Sequence, residues 1–389
     1  MPIQSTDLYA AAGTALAYGI NGEGWTIAPG VVVQSDDGAA VVSDYADTTL
    51  VNAGLVVSIN SDGVNFAFAD GRISNLAGAT IYGNVGVRTL GDDSRIENAG
   101  TIHGDDGGVF LSGPANRLSN TGVIQANGAG VAAVSHAERI LNLGDITGGV
   151  AGVQSFSTGT VVVTNAGRIA GETAIDAGSA SGAISVTNSG VLDGDVAGGS
   201  GFDVVRNLGL ITGLVDLGDG NDLYDGRTAA GPGLEVRGGG GDDTLRAGGG
   251  EDSLVGGDGS DLLRGGGGDD LFRGGLGLDR LTGGAGADTF AYQAPGESGA
   301  AQGVDRITDF SRAEGDLIDL QQIDAKPKKD FDQAFVFIGE AAFTNAGQLR
   351  WTHTADGVQV EAEVTGDKVA DWIVTLEGVS SVSAGDFVL

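Results

Sequence analysis

Residues Gly238–Ala291 read GGGGDDTLR, AGGGEDSLV, GGDGSDLLR, GGGGDDLFR, GGLGLDRLT and GGAGADTFA, six nine-residue units joined without a gap. Every unit has Gly at its second and fourth positions, Asp at its sixth and a bulky apolar residue at its eighth. The apolar column is Leu245, Leu254, Leu263, Phe272, Leu281 and Phe290. The acidic column is Asp243, Asp252, Asp261, Asp270, Asp279 and Asp288. A flexible Gly-rich linker has no reason to keep an apolar residue in step with its acids. A fixed short period instead predicts a stacked repeat.

The spacing dictates the chemistry. The last three residues of a unit predict a short strand whose central apolar side chain points inward. The first six must turn the chain, and Gly supplies the positive φ and close backbone approach that such a turn needs. With two units per turn of a parallel roll, units 18 residues apart stack on one side. Asp243, Asp261 and Asp279 then line one edge, and Asp252, Asp270 and Asp288 the other. Calcium takes about six to eight oxygens from carboxylates and carbonyls. Each gap between stacked loops offers two carboxylates and several turned-out carbonyls, so a calcium ion there relieves the repulsion of like charges.

These units resemble the repeats-in-toxin (RTX) beta-roll, and the segment C-terminal to them resembles the C-terminal domain of the serralysin metalloproteases. The carrying residues are Asp305-Arg306-Ile307-Thr308-Asp309-Phe310, Gly315-Asp316-Leu317-Ile318-Asp319-Leu320 and Gln322-Ile323-Asp324-Ala325. Phe335-Val336-Phe337-Ile338-Gly339, Ala342-Phe343 and Ala346-Gly347-Gln348-Leu349-Arg350 come next in order. Ala370-Asp371-Trp372 and Asp386-Phe387-Val388-Leu389 complete the likeness, which covers roughly 218–389. The resemblance implies a calcium-loaded roll, a beta-rich cap, and export by a type I secretion apparatus from a Gram-negative bacterium.

In that family an ion sits between one loop and the loop 18 residues later. The earlier loop gives its second and fourth carbonyls and its Asp; the later gives its first and third carbonyls and its Asp. Carried onto this chain, the first site is Gly239, Gly241, Asp243, Gly256, Asp258 and Asp261. The second is Gly248, Gly250, Asp252, Gly265, Gly267 and Asp270. The third is Gly257, Gly259, Asp261, Gly274, Leu276 and Asp279, and the fourth Gly266, Gly268, Asp270, Gly283, Ala285 and Asp288. Asp305 and Asp316 are candidates for end sites, and Asp203 and Asp222 for outlying ones. The short turn Thr365-Gly366-Asp367-Lys368 replaces a longer Asp/Gly-rich turn of the family, which argues against a further calcium there.

The N-terminal half carries a different repeat. An Asn-x-Gly or related step recurs at Asn52, Asn75, Asn98, Asn120, Asn142, Asn165, Asn188 and Asn207, at intervals of 19 to 23 residues. A period in the twenties predicts a solenoid. Three short strands per rung are expected: one leading into the Asn, one carrying the Ile after the Gly, and one at Gly-Val steps such as Gly108-Val109 and Gly130-Val131. Stacked asparagines would hydrogen-bond up and down the column. This half resembles the three-sided parallel beta-helix of autotransporter passengers and polysaccharide enzymes. The expected fold is therefore all-β. Its expected parts are a cap (1–20), a beta-helix (21–215), the calcium-binding roll (216–291) and a serralysin-like C-terminal domain (292–389), with Gly198–Arg206 and Gly218–Asp222 as the graft.

Composition narrows the function. The net charge is −32 with no cysteine, which excludes a disulfide framework and disfavours nucleic acid and anionic membranes. No run reaches membrane-spanning length. The first twenty residues lack the basic start of a signal peptide, so the export address is expected at the other end. The only histidines are His103, His136 and His353, none in a His-Glu-x-x-His motif, so a zinc protease is excluded. His103 and His136 are read as solvated turn residues. An alginate epimerase or polysaccharide lyase is the enzymatic rival. Yet Tyr18-Gly19-Ile20 runs into Asn21-Gly22-Glu23 where that motif needs Asp-Pro-His, and no lysine precedes Lys326. No catalytic residue is assigned. The reading is a secreted, non-enzymatic calcium solenoid for adhesion, biofilm matrix or surface layer, contacting extracellular polysaccharide or neighbouring copies.

Overall fold

Alternation of apolar and polar residues, broken by Gly-rich corners, makes nearly every segment a strand in the computed structural model, which describes residues 1–227, 229, 231–301, 303–327 and 332–389. The chain divides into two compact units, Met1–Leu214 and Val215–Leu389. Both are parallel β-solenoids, and the fold is all-β.

In the first unit each rung has the three expected strands. One rung runs Thr49–Asn52, Leu55–Ser58 and Val64–Phe66. Elsewhere the second and third strands merge into one bent strand, as in Thr80–Thr89 and Thr101–Leu111. Three apolar columns fill the interior. Leu50, Ile73, Ile96, Leu118, Ile140 and Val163 stack in register and are buried. So do Val56, Ile81, Ile102, Ile124, Ile146 and Ile169. The third column is Val64, Val87, Val109, Val131, Val153 and Ile175. Each side chain thus meets its own kind at the sheet spacing of about 4.8 Å, so one rung's packing dictates the next.

One corner is built from an unusual backbone. Asp47, Asp70, Asp93, Ala115 and Ala137 occupy it in successive rungs with φ of 58°, 60°, 52°, 63° and 64°. Short polar Asp tolerates this left-handed conformation, which accounts for acidic residues there.

Residues 1–20 are not a separate cap, as the sequence suggested. Ile3–Gln4, Leu8–Ala10 and Leu16–Ala17 pair in parallel with the three strands of the next rung. They are a rung themselves, since short alternating runs suffice once a template strand lies alongside.

The second unit has two strand columns. Val236, Leu254, Phe272, Phe290, Ile318 and Phe387 stack along one, all buried. Tyr224, Leu245, Leu263, Leu281, Ile307 and Leu376 stack along the other. The boundary expected at 291/292 therefore does not separate compact bodies. Asp305–Ile307 and Leu317–Asp319 continue the roll, and Trp372–Glu377 and Phe387–Val388 add to its two columns. The antiparallel strands Gln348–His353 and Gly357–Glu363 lead into Trp372–Glu377. The glycine period ends at Ala291, but the apolar stacking does not.

Candidate metal centre

The Asp ladders of the second unit are its most unusual chemistry. From Asp243 onward, one oxygen of each carboxylate accepts a backbone N–H from the turn before it, that of an Asp except at Asp252, which accepts from Leu234 at 2.8 Å. Asp261 accepts from Asp243 at 2.8 Å, Asp270 from Asp252 at 2.8 Å, Asp279 from Asp261 at 2.9 Å and Asp288 from Asp270 at 2.9 Å. The pattern runs past the nonapeptides: Asp305 accepts from Asp279, and Asp316 from Asp288, both at 3.0 Å. Asp222 precedes Asp243 in the same way, donating its N–H at 2.7 Å. The two ladders are Asp222–Asp243–Asp261–Asp279–Asp305 and Asp252–Asp270–Asp288–Asp316.

The other carboxylate oxygen is the informative one. In Asp243, Asp261, Asp270, Asp279 and Asp288 it is buried and has no hydrogen-bond partner among the described residues. A buried unsatisfied carboxylate oxygen is expensive. Burial is the main cause that pushes Asp261 and Asp270 up to about 7 and Asp243, Asp279 and Asp288 up to about 6. Asp305 is pushed up to about 8, by burial first and by Asp279 second. These carboxylates need a proton or a cation.

Glycine shapes the cradle at three positions of the unit. The second and fourth glycines have positive φ, as at Gly257 (121°) and Gly259 (132°). Gly248 is the exception at the second position. The first glycine, expected only as a carbonyl donor, is constrained by its missing side chain as well. A Cβ on Gly256 would lie 2.2 Å from the free oxygen of Asp261, and one on Gly265 would lie 1.9 Å from that of Asp270.

The residues expected to hold ions through carbonyls fall into two groups. Asp258, Gly267, Leu276 and Ala285 already accept the N–H of Gly241, Gly250, Gly259 and Gly268, at 2.7 to 2.9 Å. A carbonyl has two lone pairs, so each keeps one for a cation. Gly239, Gly241, Gly248, Gly250, Gly256, Gly257, Gly259, Gly265, Gly266, Gly268, Gly274 and Gly283 belong to the same stacked turns beside the carboxylates, and Gly248 also accepts the N–H of Gly267 at 3.0 Å. No three His, Cys, Asp or Glu side chains converge among the described residues. The donor set is two carboxylates per gap with backbone oxygens around them, which fits a hard cation and not zinc.

Asp203 does not belong to this set. Its two oxygens accept the N–H groups of Ile184 at 2.6 Å and Gly199 at 2.8 Å, so it fastens a turn. At 365–368 the backbone instead folds onto Glu363, whose carboxylate accepts from Gly366 and Lys368.

The first unit answers the same stacking problem with amides. Asn52 donates to Asn75 (2.9 Å), Asn75 to Asn98 (2.8 Å), Asn98 to Asn120 (2.8 Å) and Asn120 to Asn142 (2.9 Å). Asn142 donates to Asn165 (2.9 Å), Asn165 to Asn188 (2.8 Å) and Asn188 to Asn207 (2.8 Å). Each of these donors also reaches a backbone carbonyl, such as Asn98 to Val123 at 3.1 Å. The ladder begins at Asn52 because Ile27 takes its place one rung earlier.

His103 is not the solvated turn residue expected. It lies within Thr101–Leu111, stacked on Tyr82 with ring centroids 5.2 Å apart, and 3.8 Å from Asp105. Tyr82 donates to Asp105 at 2.6 Å, which raises the phenol's pKa. The in-register rungs bring these three together; nothing in their sequence spacing announces it. His136 instead pairs with Thr158 at 2.6 Å.

A profile of the family described as Peptidase M10 serralysin C terminal matches residues 165–389. No curated protein matches the chain. Among solved structures, it is similar to the solution structure of the AlgE6R3 subunit from the Azotobacter vinelandii mannuronan C5-epimerase. That likeness has 26% identity over 38% of this chain and 78% of the other, with a TM-score of 0.27. No helix among the described residues is long and apolar enough to cross a membrane.

Proposed function

Because the chain belongs to the peptidase M10 serralysin C-terminal family, we propose that it is a secreted, calcium-folded double solenoid with a non-enzymatic role in adhesion, biofilm matrix or surface layer. The observation that carries this reading is the run of buried, partnerless carboxylate oxygens at Asp243, Asp261, Asp270, Asp279 and Asp288. Calcium between the stacked loops would satisfy them, held by the Asp pairs and by the glycine-turn carbonyls. Extracellular calcium modules bind at about 10⁻⁴–10⁻³ M, so the roll would stay open in the cytosol and close outside. Such a switch suits passage through a type I apparatus as an open chain.

Circular dichroism of the full chain tests it. Chelation is expected to remove a large part of the β signal and millimolar calcium to restore it. A spectrum indifferent to chelator would sink the proposal.

A second reading has one observation in its favour. Tyr82, His103 and Asp105 form an acid–base cluster on a solenoid face, as a polysaccharide epimerase or lyase would need. Turnover of a polyuronate that is abolished by Tyr82→Phe would establish it. Intact turnover in that variant, or none in the parent chain, rejects it.

A further inference from the structure

The first unit is acidic, with 20 Asp and Glu against seven Arg and no Lys. Four of those seven Arg nevertheless stand in one file. Arg72, Arg95, Arg117 and Arg139 are directly opposite one another in successive parallel strands, and all four are exposed. Of the other three Arg, Arg88 sits on Asp62 at 2.7 Å and Arg168 on Asp193, while Arg206, exposed farther along the same sheet, is in no ion pair among the described residues. In the file, Arg95 alone has a carboxylate, Glu97 at 2.9 Å. Among the described residues no acid pairs with Arg72, Arg117 or Arg139. Like charges directly opposite in a sheet are unfavourable, and here three consecutive steps carry them.

The file borders a shallow groove of about 340 Å³, lined by Arg95, Arg117, Arg139, Ser119, Leu141 and Thr164. We propose that this groove and its arginine file bind an extended acidic polysaccharide, a linear polyuronate with one carboxylate per sugar, laid along the solenoid axis. This rests on the matrix role proposed above and names its partner. Three features select that occupant. The guanidinium fork matches a planar carboxylate in two-point contact. The cations recur at the strand spacing of about 4.8 Å, so the partner must carry anions regularly along a straight line. No aromatic side chain lies in the two outward columns from Thr49 to Val204, so stacked bases of a single-stranded nucleic acid have no platform.

Isothermal titration of the full chain in calcium tests this, with a short oligogalacturonate as probe and a neutral dextran oligomer as control. The double substitution Arg117→Gln and Arg139→Gln is expected to weaken oligogalacturonate binding at least about tenfold. Added salt should weaken parental binding, and Arg168→Gln should leave it unchanged. Parental binding no tighter than dextran, or undiminished in the double variant, overturns the proposal. A salt-sensitive dimer that disappears in the double variant would assign the file to a second copy of the chain, and overturns it too. Calcium-driven folding of the double variant, followed by circular dichroism, should match the parent. Failure of that folding in the parent chain speaks against the calcium reading and not against the groove.

Discussion

The two solenoids stack a polar residue at the same kind of place, beside a turn, and differ in one atom of its side chain. The first uses Asn, which carries both a donor and an acceptor. Its column closes on itself from Asn52 to Asn207, every link made by protein atoms. The second uses Asp, which only accepts when ionised. Its column spends one oxygen on a backbone N–H and, at Asp243, Asp261, Asp270, Asp279 and Asp288, buries the other with no partner among the described residues. An amide ladder is complete as folded; a carboxylate ladder is a request for a cation.

The largest consequence is a split response to chelation. Hydrogen exchange in EGTA should stay slow across the Asn ladder and become fast across Gly238–Ala291. Equal loss of protection in both regions would break the comparison.

Point substitutions sharpen it. Asp261→Ala removes a carboxylate facing two gaps and should cost the calcium-bound roll about 3 kcal/mol, with a large loss of calcium affinity by titration. Asn120→Ala leaves Asn98 without its acceptor and Asn142 without its donor. It should cost about 2 kcal/mol and lower the melting temperature by the same amount with or without calcium. A calcium-dependent penalty for the Asn change would contradict the division.

Acid provides a further contrast. Folded Asp261 and Asp270 titrate near 7 and Asp243 near 6, above the ordinary 3.8. A carboxyl raised on folding contributes fully below its unfolded value and loses that contribution as pH climbs through the folded one. Calcium-free roll should therefore gain order as pH falls from 8 through 6, while the Asn ladder shows no such trend. With calcium present the sign reverses, since protons compete for the same oxygens. Thermal melts at several pH values with chelator would reveal it. The most local effect is expected from Gly256→Ala, whose Cβ would press 2.2 Å from Asp261 and 2.4 Å from the Gly274 carbonyl. It should cost about 1–3 kcal/mol, and only in the second unit.

Much of this was readable in residues. The Asp and apolar columns of 238–291 fixed a stacked roll because a rigid period leaves few other ways to bury Leu245, Leu263 and Leu281 together. The Asn spacing marked the other solenoid for the same reason. Irregular spacing hid the rest. Asp305 and Asp316 join the ladders after 26 and 28 residues instead of 18, because an intervening loop lets the chain re-enter register late. Residues 1–20 have no Asn step, so their rung showed only through pairing with Gly24–Ile27. Tyr82 and His103 are 21 positions apart and meet only because stacking removes that distance.

Linear order alone determined that this polymer repeats, with which period, and which side chain is held in each column, since period and polarity are properties of the string. Folding in three dimensions decided which oxygens of those columns go unsatisfied and which arginines stand in file. Those outcomes depend on the lateral alignment of one rung on the next, and alignment is set by the packing of the whole stack.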